Sequence, residues 1–170
     1  MPWNDLLRQE LLALKEASDR IHTHLPAATL PESLSPSAIP YIAAHTDRLK
    51  AIVQEYGWPG IHVVGNDGAL AAWVLLLRGY DIIFMQACLI LMHRALHEND
   101  VEPGTVAFLE DRILVRTGKP QRYGSQYHRV DEEIIPYPID DEAHVDERRA
   151  TVGFMPLEVY LRHATEYSVN

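Results

Sequence analysis

Three consecutive charges, Glu110, Asp111 and Arg112, interrupt an otherwise apolar helical pattern, and a loop dense in hydrogen-bonding groups follows them. On a helix, the neighbours of a residue lie three and four positions away. These are Val106, Ala107, Ile113 and Leu114 for Glu110, and Ala107, Phe108, Leu114 and Val115 for Asp111. Adjacent residues point about 100° apart, so Arg112 is not the partner of either acid within its own helix. A buried carboxylate there needs an outside donor or a raised pKa. Arg78, Arg94, Arg122 and the loop amides are the candidates.

An acid in an apolar setting can move protons near neutral pH. The loop "GKPQRYGSQYH" adds Gln121, Tyr123, Ser125 and Gln126, neutral groups suited to orienting a polar substrate, with glycines that permit tight bends. Gln86 repeats the pattern between Ile82, Ile83, Leu89 and Ile90. In a catalytic reading, Glu110 and Asp111 are the proton-transfer carboxylates, and Arg78 and Arg112 balance charge or bind an anion. Gln86, Gln121, Tyr123 and Gln126 orient the substrate, and Trp73 lines the pocket. In a plainer reading the same acids and amide form a clasp that holds the loop after Gly118 against the core.

Other chemistry finds little support. His93 and His97 share a helix face, but Arg94 stands where a zinc-protease motif carries glutamate, and no third ligand is evident. No metal or cofactor is expected. Cys88 lies in an apolar run and makes a poor nucleophile. The net charge of −9 disfavours nucleic acid and anionic membranes as partners and suits a basic partner protein. The first residues turn acidic and polar too soon for a signal peptide, and the longest apolar runs fall short of the roughly 20 residues of a membrane span. A lone cysteine fits a reducing cytoplasm.

The elements that must position these groups read as mainly α: an orthogonal array of about six to seven helices with an irregular, loop-rich C-terminal third. Helices are expected over 2–22, 37–56, 68–78, 82–99, 102–117, 142–152 and 156–167, with Asn66 or Asp67 capping the third and Asp81 the fourth. Residues 26–40 form a proline-rich connector, and residues 118–140 an irregular polar region with short strands near 126–128 and 133–137. The whole chain, 1–170, is expected to be one domain.

The Asp111-Arg112 pair, followed by Gly118, Pro120, Gln121, Tyr123, Gly124, Ser125 and Gln126, resembles the Asp-Arg and Gly-x-Pro-Gln-x-Tyr-Gly-Ser/Thr-Gln pattern of an uncharacterised bacterial domain-of-unknown-function family. Val145, Asp146, Arg148 and Arg149 match a second element of that family, and the similarity covers about 56–161. It implies a shared site without naming its chemistry. One departure stands out: after the tryptophan helix the family carries Gln-His, where this chain has Leu77 and Arg78.

Two functions follow as expectations. The first is a small metal-independent enzyme doing acid–base chemistry (hydrolysis, cyclisation or isomerisation) on a small polar molecule, of the kind a biosynthetic pathway uses. The second is a non-catalytic acidic binding protein, an immunity or regulatory factor or a ligand-sequestering module. The enzyme requires Glu110, Asp111 and Gln86 to converge on an open cavity. The binder requires an exposed acidic face, on the first helix or near residues 131–133.

Overall fold

The computed structural model describes residues 3–22, 39–130 and 133–167. The chain parts into two compact units, Met1–Glu102 and Pro103–Asn170. The proline-rich connector lies outside the described residues except for its last two, as do Asp131 and Glu132.

The first unit holds α1 (Asp5–His22), α2 (Ile39–Tyr56), α3 (Ile61–Arg78) and α4 (Ile82–His97). α3 is apolar nearly all round and forms the centre, with Val64, Ala71, Ala72, Leu75 and Leu76 buried. α1 packs against it through Leu7 and Leu11, and α2 through Ile42, Leu49 and Ile52. Asp81 caps α4 as its position implies, its carboxylate accepting the Phe84 N–H at 2.9 Å.

α3 begins seven residues before the expected start at Gly68. The stretch read as a loop is helical from Ile61, broken at Gly65, which adopts φ +70 and ψ 173. Asp100 makes the early start possible. Its carboxylate accepts the His62 N–H at 2.5 Å and its carbonyl the Ile61 N–H at 2.9 Å. These are two of the donors a helix start leaves unmatched. The Asp100 carboxylate lies so close to Gly60 that a Cβ there would sit 2.1 Å from Oδ2. Beyond the break Asp67, itself within α3, accepts the N–H of the next residue, Gly68, at 2.9 Å and pairs with Arg8, while the position before the helix start is Gly60, which has no side chain to cap it.

The second unit contains α5 (Pro103–Arg116), strands β1 (Tyr127–Val130) and β2 (Glu133–Pro136), α6 (Val145–Thr151) and α7 (Leu157–Tyr167). The strands pair antiparallel, Tyr127 opposite Pro136 and Val130 opposite Glu133. α7 packs against β2 and α6. The fold is mainly α with this small sheet in a loop-rich C-terminal region. No helix among the described residues is long and apolar enough to cross a membrane.

Candidate functional site

The three charges of α5 meet three environments. Asp111 is fully buried, Arg112 is 4% exposed, and Glu110 lies near the surface. The Asp111 carboxylate is the hub of the loop that follows. Oδ1 accepts the backbone N–H of Arg122 at 2.7 Å and of Tyr123 at 3.1 Å, and Oδ2 accepts that of Ser125 at 3.0 Å. Successive N–H groups folded round a carboxylate form a nest that holds an anion without a cationic side chain. Burial pushes the Asp111 carboxyl above its ordinary value, and the N–H groups of Ser125, Arg122 and Tyr123 pull against that rise. The bend needs Gly124, which has φ +66 and whose Cβ would meet the Leu157 side chain at 2.8 Å.

Gln121 and Gln126 interlock beside this hub. The Gln121 amide donates to the carbonyls of Gln126 at 2.8 Å and Tyr137 at 2.9 Å, while its oxygen accepts the Gln126 N–H at 2.8 Å. The side chain thereby does the work of a peptide group between two extended segments. The Gln126 side chain accepts from Arg112 Nε at 3.2 Å and donates to the Ser125 hydroxyl at 3.1 Å. Both glutamines, expected to orient a ligand, are engaged with protein atoms in their own unit.

Two arginines of α6 complete the clasp, and sequence reasoning gave them too little weight. Arg148 donates to the carbonyls of Arg122 and Asp141, both at 2.9 Å, and of Asp140. Arg149 turns inward instead. Fully buried, its guanidinium donates to the carbonyls of Tyr123 and Met155 and lies 5.3 Å from the Phe154 ring and 5.0 Å from the Tyr160 ring. Tyr160 closes the group by donating its hydroxyl to the Ser125 carbonyl at 2.9 Å. The aromatics spaced along 154–160 were the available sign that a cation could be housed there.

Outside the clasp, the segment Asp140, Asp141, Glu142, Asp146, Glu147 is exposed throughout. Asp141 adopts φ +45, and its carboxylate holds the His144 ring nitrogen at 2.9 Å. That bond raises the His144 pKa and lowers that of Asp141. Glu110 pairs with Arg122 at 3.1 Å, and the Arg122 guanidinium lies 5.7 Å from the Tyr123 ring. Burial, and then the charge of Glu110, keep the Tyr123 phenol protonated beyond its ordinary range.

The remaining predicted residues belong to the first unit and have their own settings. Arg78 binds Asp19 at 2.7 Å and the Ser18 hydroxyl at 3.0 Å, tying α3 to α1. Trp73 is half-buried on α3. Gln86 is exposed, because α4 buries Met85, Cys88 and Met92 and turns Ile83, Gln86 and Ile90 outward. The amide expected to need buried partners therefore faces solvent, and the exposed isoleucines are what made its surroundings look like core. His93 and His97 are exposed, and no group of three His, Cys, Asp or Glu able to hold a metal occurs among the described residues. The acids of α1 do not form a bare acidic face: Glu10 pairs with Arg48, Glu16 with Arg20, and Asp19 with Lys15 and Arg78.

No curated protein and no solved structure matches this chain. A family description does match, over residues 5–169, and takes in both units together with the Asp111-Arg112 pair, the interlocked glutamines and the two arginines of α6. The chain belongs to DUF6624, a family of unknown function.

Proposed function

We propose that this protein acts by binding, as a non-catalytic acidic module that docks a partner with a basic surface. The observation that carries the reading is Asp111: both carboxylate oxygens are held by backbone N–H groups in a fully buried position, so this acid organises a loop and is closed to solvent. Arg78, standing where the family resemblance places a histidine, is committed to an ion pair with Asp19 and supplies no base. The segment Asp140–Glu147 supports the binding role, because its five acids are exposed and Arg148 fixes the backbone beneath them. A pre-organised charge cluster speeds encounter with a complementary surface and loses little freedom on docking. A cytoplasmic setting accords with the single buried thiol, which burial pushes to about 12.

Fluorescence anisotropy with a labelled oligoarginine peptide tests this. Binding is expected at low salt, weakening steeply as salt rises. The triple variant Asp140→Asn, Glu142→Gln, Glu147→Gln should bind about tenfold more weakly. An unchanged affinity in that variant, or no binding at low salt, would sink the proposal.

One observation favours an acid–base enzyme acting on a small polar molecule. The Glu110 side chain is 21% exposed and shares the Arg122 guanidinium with the Tyr123 ring, so a substrate could reach it.

A further inference from the structure

On the outer side of the clasp one guanidinium, that of Arg122, lies against both the Glu110 carboxylate and the Tyr123 ring. It donates to Glu110 Oε1 at 3.1 Å and lies 5.7 Å from the ring centroid. A carboxylate beside an aromatic face is the combination that recognises this group: the carboxylate takes the planar N–H fork and the ring takes the cation. The two partners are unequally fixed. Glu110 rises from a helix with 21% of its side chain exposed, whereas 51% of the Arg122 side chain is in solvent. The backbone of Arg122 is anchored independently, its N–H on Asp111 and its carbonyl on Arg148. Its side chain can therefore swing away without loosening the loop.

We propose that Glu110 and Tyr123 form a guanidinium subsite, filled by Arg122 in the free protein and taken over by an arginine of the basic partner on docking. This rests on the docking reading above. The exchange conserves charge on Glu110 and leaves Arg122 free to meet an acid on the partner. Arginine and tyrosine are among the residues that dominate interface hot spots, and here Arg122 covers the Tyr123 face until a partner's arginine takes its place.

Arg122→Ala empties the subsite while keeping the backbone N–H and carbonyl that Asp111 and Arg148 hold. Titration with N-acetyl-arginine amide, followed by NMR, should show R122A binding at least about tenfold more tightly than the unaltered protein. Adding Glu110→Gln should abolish the gain, and N-acetyl-lysine amide should bind more weakly, since it lacks the planar fork. Circular dichroism checks that the variants are folded, and Arg122→Gln repeats the test if alanine unfolds the loop. No gain in the emptied variant, or a gain that survives loss of Glu110, overturns the subsite. Either result leaves the acidic segment's docking standing, because that is read from variants at Asp140, Glu142 and Glu147; an oligoarginine affinity unchanged in those variants, or absent from the unaltered protein at low salt, with the gain intact would overturn docking alone.

Discussion

Asp111 and Glu110 are adjacent acids with opposite circumstances. Asp111 has surrendered both oxygens to N–H groups of the following loop, while Glu110 keeps a replaceable partner at the surface. The helical neighbours of the two acids, apolar in both cases, do not distinguish them. The difference arises from where the chain after Gly118 returns, which spacing within α5 cannot show. The need for an outside donor was legible; that the donors would be backbone N–H groups was one of several open possibilities. Replacing Asp111 leaves three loop N–H groups without acceptors in a dry site, at about 1–3 kcal/mol for each group left unmet. Asp111→Ala is expected to lower unfolding stability by about 3 kcal/mol, and Glu110→Gln by less than about 1. Urea titration of the two variants side by side measures this, and equal losses would mean that Asp111 is not the hub.

At the scale of elements, the helices with local signals appear where the sequence places them. Asp81 caps α4, Pro103 opens α5, and the two short strands form near their expected positions. α3 is the exception, and its reason is long-range. Asp100, thirty-eight positions beyond His62, supplies the acceptor that lets the helix start before Gly65 breaks it. The local letters, rich in glycine and turn formers, argue for a loop, and the remote carboxylate overrides them. Gly60 is required because its missing side chain makes room for that carboxylate. Gly60→Ala and Asp100→Ala should each cost about 1–2 kcal/mol, the range of a lost helix cap. Combined, they should cost little more than either alone, since both remove one contact. Full additivity in thermal or urea unfolding would show that the two do not act together.

Across the molecule, the same device recurs in both units: an aspartate binds the backbone N–H groups of a distant segment, Asp100 in the first and Asp111 in the second. Bonds of this kind involve one side chain and no complementary one, so they leave no pairing pattern in the residue types. That is why Arg149 and the Gln121–Gln126 interlock escaped the reading of a sequence whose mainly helical fold was otherwise plain. The buried charges do not reduce the net charge of −9 that a partner meets, because Asp111 is outnumbered in the interior by Arg112 and Arg149.

The Gln121 side chain, standing in for a peptide group, has a kinetic consequence. Its bonds require residues 126 and 137 to be in place together, and those of Asp111 require residues 122, 123 and 125. No part of the loop can then open by fraying from one end. In deuterium exchange, the amides of Gln121, Arg122, Tyr123, Ser125, Gln126, Tyr137 and Asp140 should be replaced in a single shared event, slow despite their irregular backbone. Rates scattered from residue to residue would mean that the loop breathes piecemeal. A common rate would mark a segment without regular secondary structure that opens as cooperatively as a helix pair.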